Sequence, residues 1–254
     1  MPKLSVCIEM FWRDVPYEER IGRVAALGFP AFEFWGWKNK DIAKIKAAMA
    51  QHHLPLAALA MEPGSSLIRR RYEAELVQGM KETAAVAHEL GCRTVIATTG
   101  NVIDDETYEM SRRRIVRNTR AIGKVAEDHG LTLVIEPLNT LVDHRGYWLA
   151  RMPQAVDIVQ EVDSPAVKIL MDLYHQQIME GNLINNLTEY AAHIGHFHCA
   201  GVPGRHELVG GEQDYRAIFK AIDRTGYAGY VGLEYAPTIE TAASLGQALS
   251  LVEG

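Results

Sequence analysis

The segment Lys124-Val-Ala-Glu-Asp-His-Gly-Leu-Thr-Leu-Val-Ile-Glu136 contains a junction that recurs along this chain. A helical pattern ends at Gly130, and the apolar run that follows ends at the acid Glu136. Comparable helix-ending glycines stand before other apolar runs at Gly28, Gly91 and Gly226. The segment therefore predicts a helix followed directly by a strand, and its recurrence predicts alternating helices and strands.

Eight apolar, β-branched or aromatic runs are predicted to be strands. They cover residues 4–10, 31–35, 55–60, 94–98, 132–136, 167–172, 193–199 and 230–235. No Pro/Ser-rich linker or charge block divides the chain, and its 254 residues match the size typical of one parallel barrel, about 250 residues. We therefore predict an α/β fold consisting of a single (β/α)8 TIM barrel domain over residues 1–254.

The composition excludes several classes of protein. Hydrophobic residues make up 48% of the chain and charged residues 23%, which is typical of a globular protein and not of a disordered one. The net charge of -6 argues against a nucleic-acid partner. The basic run Arg112-Arg-Arg114 falls in a helical stretch, where it indicates a solvated face.

Location and redox state are predicted from what the chain lacks. Its three cysteines show no CxxC spacing, so no disulfide framework or zinc ribbon is indicated. Cys7 and Cys199 fall in apolar runs and are predicted to be core residues. The N-terminus does not resemble a signal peptide, and no apolar stretch approaches about 18 residues. We expect a cytoplasmic protein without a membrane partner; the sequence leaves a homo-oligomer open.

Four of the predicted strands end in a potential metal ligand: Glu136, Asp172, His198 and Glu234. Side chains at the carboxyl-terminal ends of barrel strands converge on one site. Three acids crowded there would repel each other unless a cation compensated them. Carboxylates with one imidazole suit Mg²⁺, Mn²⁺ or Co²⁺. We predict a divalent metal site, the alternative for any one of the four being a solvated strand-end residue.

Four further residues are candidates near this site. His175 is predicted just past the sixth strand, where it would orient a substrate oxygen, add a ligand or remain a loop histidine. His196 is predicted one layer below His198, as an interior or supporting histidine. Glu33, set among aromatic residues, requires a buried partner. Arg205 is placed to hold a carboxylate or sugar oxygen, or to lie on the surface.

These motifs resemble one family along essentially the whole chain. The resemblance is carried by Glu136-Pro-Leu-Asn139 with Gly146-Tyr147, by Asp172-Leu-Tyr-His175 with Met179-Glu-Gly-Asn-Leu183, by Ile194-Gly-His196 with Val202-Pro-Gly-Arg205, and by Gly232-Leu-Glu234-Tyr235. The chain is similar to the hydroxypyruvate isomerase-like branch of the xylose isomerase-like TIM barrels, which is related to the ketose 3-epimerases.

The resemblance implies a function and a set of site residues. It implies metal ligands at Glu136, Asp172, His198 and Glu234, with Glu136 and Glu234 also acting as acid/base catalysts. It also implies that His175 and Arg205 contact a small-molecule substrate. One departure concerns the substrate, because the isomerases often carry glutamine where this chain has His198, whereas the epimerases carry histidine.

The expected reaction is an isomerisation through a cis-enediolate. A divalent ion would acidify the proton next to a chelated carbonyl, and the glutamates would move that proton. We expect conversion of hydroxypyruvate to tartronate semialdehyde or a related short oxo acid. Ketose 3-epimerisation, supported by His198 and nearby aromatic residues, is the alternative. An endonuclease IV-like reaction is a remote one, since the third and fourth strands lack the histidines it needs.

Overall fold

The strands form a closed parallel barrel in the order β1 to β8. The computed structural model describes residues 1–64 and 66–252. The strands are β1 (Lys3–Cys7), β2 (Ala31–Phe34), β3 (Leu56–Ala60), β4 (Thr94–Ala97), β5 (Thr132–Ile135), β6 (Val167–Asp172), β7 (Ile194–Cys199) and β8 (Tyr230–Leu233). The predicted fold class, an α/β (β/α)8 TIM barrel, is confirmed.

Helices follow the strands and cover the outside of the barrel. They are α1 (Tyr17–Ala26), α2 (Ile42–His52), α3 (Glu73–Glu89), α4 (Tyr108–Asp128), α5 (Met152–Val162), α6 (Leu173–Met179), α7 (Leu183–Glu189), α8 (Tyr215–Arg224) and α9 (Thr241–Ser250), with a 3-10 turn at Ala191–His193. Gly130, after α4, has a φ of 62°, a left-handed conformation that favours glycine. Among residues 1–64 and 66–252, no helix is long and apolar enough to cross a membrane.

Five strands end earlier than predicted: β2 and β4 by one residue each, and β1, β5 and β8 by one to three residues at positions that matter for the loops and the site. Beyond Cys7 the chain turns, with the Met10 amide donating to the Cys7 carbonyl (3.0 Å), so β1 does not reach residue 10. Pro137 has no N–H to continue a ladder, so β5 ends at Ile135. Glu136 is therefore the first residue after β5, although its amide still donates to the Ala97 carbonyl (3.3 Å). Likewise, Glu234 is the first residue after β8.

The barrel interior has an apolar side and a polar side. One cluster of inward-facing side chains comes from β3 to β6: Ala58, Ile96, Val134 and Leu170. The opposite strands supply buried Ser5, Glu33 and His196. Gly232 of β8 leaves room for this polar side, because a Cβ there would lie 2.1 Å from Glu33 Oε1. The polar layer lies directly beneath the strand ends that carry the predicted ligands.

The basic run lies on α4, and ion pairs join it to its neighbours. Arg112 pairs with Glu161 of α5 (2.6 Å), and Arg117 pairs with Glu73 of α3 (3.0 Å). Arginines of this helix thus link neighbouring helices of the outer ring.

Candidate active site

The four predicted metal ligands lie together at the carboxyl-terminal end of the barrel. Asp172 ends β6, His198 lies in β7 directly beside Asp172 in the ladder, and Glu136 and Glu234 directly follow β5 and β8. All four are buried, and one ligand atom from each lies within 4.8 Å of the others. Side chains alternate between the inside and the outside of the barrel along each strand. Each of these four consecutive strands therefore contributes one inward-pointing side chain at its carboxyl-terminal end.

The imidazole of His198 lies between the two glutamates. Its Nδ1 is 3.3 Å from Glu234 Oε2 and 3.8 Å from Glu136 Oε1. This nitrogen is buried and makes no hydrogen bond to the described residues. An unsatisfied buried nitrogen surrounded by carboxylate oxygens is a suitable ligand for a cation.

Burial and charge affect the two glutamates in opposite directions. Burial raises the pKa of Glu136 to about 7, and the nearby Glu234 and Asp172 carboxylates contribute to this rise against the effect of His198. Burial also opposes ionisation of Glu234, but Arg205 and His198 outweigh it and hold the pKa of Glu234 below its ordinary value. A carboxyl that keeps its proton near neutral pH can exchange that proton for a cation. The donor set therefore fits a hard divalent ion.

Asp172 also begins the next helix. Its Oδ1 accepts a hydrogen bond from the Tyr174 amide (2.8 Å), which caps α6 at its N-terminus. His175 consequently lies in the first turn of a helix, and the alternative of a loop histidine is wrong. The cap uses Oδ1, so the other oxygen, Oδ2, faces the site, where Arg205 Nη2 lies 3.3 Å from it.

His175 is a neutral hydrogen-bond donor. Its Nδ1 accepts from the backbone amide of Asn139 (3.2 Å), and an amide can only donate, so the ring proton is on Nε2. That Nε2 is buried, lies 3.4 Å from Asp172 Oδ2 and makes no hydrogen bond to the described residues. Burial lowers the pKa of His175 to about 4. His175 can therefore donate to a substrate oxygen in the pocket that it lines.

Glu33 supports His198 from below. Its Oε2 lies 3.0 Å from His196 Nε2 and accepts from the Ser5 hydroxyl (3.0 Å), while its Oε1 lies 2.9 Å from His198 Nε2. Burial would raise the pKa of Glu33, but His198 and His196 lower it to about 2. This geometry agrees with the structural pairing predicted for Glu33 and the interior position predicted for His196.

Arg205 reaches the site from the loop after β7. Its Nε donates to the Glu234 carbonyl (3.2 Å), and its Nη2 lies 3.3 Å from Asp172 Oδ2 and also pairs with the Glu234 carboxylate. The guanidinium lies over the Tyr174 ring, 5.2 Å from its centre. Arg205 is therefore a pocket residue, and the alternative of a surface arginine is wrong.

A pocket of about 470 Å³ opens at the site, and three of the four predicted ligands, Glu136, His198 and Glu234, line it. Trp35 and Tyr147 line it, and Trp35 Nε1 donates to Glu234 Oε1 (2.6 Å). Trp37 instead donates to Thr83 Oγ1 (3.1 Å), and Trp148 stacks on Tyr108. Only part of the aromatic group near the barrel mouth is therefore placed to contact a substrate.

The ends of β3 and β4 carry no histidine into this pocket. They contribute Met61, Glu62 and Thr98 instead. Over residues 1–64 and 66–252, the one other group that could hold a metal is Glu33 with His196 and His198. The arrangement lacks the additional ligands that the endonuclease alternative requires.

Sequence reasoning missed two contacts of the site. The bond from Trp35 to Glu234 was not predicted, although the predicted strand 31–35 put Trp35 two residues after Glu33 and so on the same face. The bond from Asn139 to His175 was also missed, and the Glu136-Pro-Leu-Asn139 motif gave no sign of it.

Comparisons with known proteins agree on one family. The model of the "Xylose isomerase-like TIM barrel" family matches residues 21–251. A putative hydroxypyruvate isomerase from Danio rerio is 31% identical, with 96% of this chain and 94% of that protein covered. A 2-oxo-tetronate isomerase from Cupriavidus necator is also 31% identical, with 97% of each chain covered.

One solved structure is especially similar in fold. It is described as an AP endonuclease of family 2 from Brucella melitensis, and it superposes with a TM-score of 0.93 at 30% identity, covering 98% of this chain and 99% of that one. The family resemblance predicted from the motifs is confirmed: the chain belongs to the xylose isomerase-like TIM barrel family.

Proposed function

We propose that this protein is a divalent-metal-dependent isomerase of short hydroxylated oxo acids that acts through a cis-enediolate. The proposal rests on the buried group of three carboxylates and one imidazole. Two of these carboxylates, Glu136 and Glu234, lie on either side of His198. Relatives named hydroxypyruvate isomerase and 2-oxo-tetronate isomerase support the isomerase class and the oxo-acid substrates.

Glu136, Asp172, His198 through Nδ1, and Glu234 would hold the metal ion. When bound, a divalent ion supplies a Lewis acid that polarises the substrate carbonyl and stabilises negative charge as the adjacent carbon loses its proton. Mg²⁺, Mn²⁺ and Co²⁺ all suit this donor set.

The protein's own side chains carry the proton transfers. Glu136 and Glu234 share the removal of the carbon proton and its return, and each needs to come within about 3 Å of that proton. The Nε2–H of His175 donates to a substrate oxygen and so favours build-up of negative charge there. Return of the carbon proton to the neighbouring carbon, with transfer of the hydroxyl proton to the former carbonyl oxygen by the same pair of glutamates, gives isomerisation. Return of the carbon proton to the same carbon from the opposite face gives epimerisation.

Two alternatives differ in their support. Ketose 3-epimerisation needs the same residues, and His198 favours it. The Brucella melitensis structure carries an endonuclease description, but β3 and β4 of this chain are followed by Met61, Glu62 and Thr98 and not by histidine. Isomerisation of an oxo acid is therefore the function that we propose.

A deuterium-exchange screen tests the proposal. We expect the purified protein with added Mg²⁺ to incorporate solvent deuterium into hydroxypyruvate or 2-oxo-tetronate, as followed by NMR in D₂O, and EDTA to abolish this exchange. The carbon that is labelled, together with the product, distinguishes isomerisation from epimerisation. If neither an oxo acid nor a neutral ketose exchanges a proton, the enediolate chemistry is wrong.

Arg205→Ala is expected to change the preference between acidic and neutral substrates. Because Arg205 is the one lysine or arginine that lines the pocket among the described residues, its loss should lower kcat/KM for hydroxypyruvate at least about tenfold more than for fructose or tagatose. Arg205 also contacts Glu234 and Asp172, so the ratio of the two kcat/KM values is the informative measurement. Arg205→Lys, which keeps the charge, serves as the control; an unchanged ratio in Arg205→Ala would exclude this role.

A further inference from the structure

Glu62 brings a carboxylate to the pocket from the end of β3. It is the one acid outside the four-ligand layer that lines the pocket within the described part of the chain. The two lysines of the loop after β2 pair with other acids, Lys38 with Glu82 (3.5 Å) and Lys40 with Glu9 (2.6 Å). No basic group described in the structure forms an ion pair with Glu62, so its oxygens remain available to a ligand.

The surrounding residues fit closely around Glu62. A Cβ at Gly36 would lie 2.0 Å from Glu62 Oε1, and a Cβ at Gly79 would lie 2.2 Å from the Glu62 carbonyl oxygen. The Glu62 amide donates to Thr83 Oγ1 (3.2 Å). A glycine in the loop after β2, together with a glycine and a hydroxyl on α3, therefore accommodates this residue, which gives the carboxylate a defined place in the pocket wall.

Glu62 and Arg205 lie on opposite sides of the barrel. Glu62 follows β3 and Arg205 follows β7, and strands four apart face each other in a closed barrel of eight. A substrate carboxylate is attracted to Arg205 and repelled by Glu62. Glu62 therefore favours substrates whose nearby end is uncharged and carries hydroxyl groups, because a carboxylate accepts strong hydrogen bonds from hydroxyls.

We infer that Glu62 is a specificity-determining residue that selects hydroxylated substrates of four or more carbons without a phosphate at the far end. The pocket volume of about 470 Å³ lies in the range, roughly 300–1,000 Å³, of pockets that enclose ligands far larger than a three-carbon acid. This inference rests on the proposed function, because it assigns a substrate class to the same site. It favours a 2-oxo-tetronate-like acid over hydroxypyruvate.

Binding of unreactive acids tests the inference separately from turnover. Threonate and glycerate differ by one terminal hydroxymethylene unit, and their Kd values can be measured by isothermal titration calorimetry with Mg²⁺ present. We expect the wild-type protein to bind threonate more tightly than glycerate. We expect Glu62→Ala to raise the Kd of threonate at least about tenfold more than the Kd of glycerate. Glu62→Gln should improve binding of 4-phosphoerythronate, because it removes the repulsive charge. Glu75→Gln, on the exposed face of α3, is the control for charge removal.

The outcomes separate this inference from the proposed function. If Glu62→Ala weakens the binding of threonate and glycerate equally, or changes neither Kd, the proposed role of Glu62 is wrong even if the protein isomerises hydroxypyruvate. If Glu62→Ala does not fold, an unchanged preference between threonate and 4-phosphoerythronate in Glu62→Gln overturns it instead. If no substrate exchanges deuterium, the proposed isomerase function is wrong. The ratio of the threonate and glycerate Kd values still tests the selectivity assigned to Glu62 in that case.

Discussion

Glu234→Gln is expected to lower the rate of substrate deuterium exchange about 1,000-fold or more. Glu234 contacts His198 Nδ1 at 3.3 Å and accepts a hydrogen bond from Trp35, so it is a proposed ligand and a proposed acid/base group at once. An amide side chain cannot take the substrate proton, and it is a weaker ligand for a hard cation. Both losses act on the same step.

The measurement is NMR-detected exchange in D₂O with saturating Mg²⁺. Glu212→Gln is a matched control, because Glu212 is an exposed acid in the loop after β7 and lines no part of this pocket. The control should keep wild-type exchange, and circular dichroism should show the same fold in both variants. A Glu234→Gln protein that retained about a tenth of the wild-type rate would show that Glu234 does not transfer the proton.

The barrel could be predicted because its signals are local. Helix-ending glycines such as Gly130, followed by apolar runs of strand length, repeat along the chain. The grouping of Glu136, Asp172, His198 and Glu234 follows from the fold, since parallel strands in one barrel bring their carboxyl-terminal ends to one side. The exact strand ends were harder to predict, because Pro137 stops β5 through a missing donor and not through a change of hydrophobicity.

Contacts between distant side chains could not be predicted in the same way. The bond from Trp35 to Glu234 joins residues 199 positions apart, and it depends on which side chains meet across the closed barrel. His175 is in a helix because Asp172, read only as a strand-end ligand, also caps α6. The sequence pattern located these residues, and the packed structure determines their partners.

Glu33→Ala is expected to lower both the stability of the protein and its affinity for a metal ion. Glu33→Ala removes the common partner of two buried histidines, and breaking such a buried pair should lower the free energy of unfolding by about 3–5 kcal/mol. Because Glu33 also orients His198 through Nε2, opposite the nitrogen that faces the proposed metal site, Mn²⁺ affinity should fall about 10- to 100-fold.

Urea denaturation and calorimetric titration with Mn²⁺ measure these two effects of Glu33. Ser5→Ala is the matched control, since it removes one neutral hydrogen bond to the same carboxylate and should cost only about 1 kcal/mol. Glu33→Gln tests the affinity if Glu33→Ala does not fold, because it keeps the shape and loses the charge. Wild-type Mn²⁺ affinity in Glu33→Gln would mean that the carboxylate stabilises the barrel interior without orienting His198, and a Glu33→Ala protein as stable as wild type would remove that stabilising role as well.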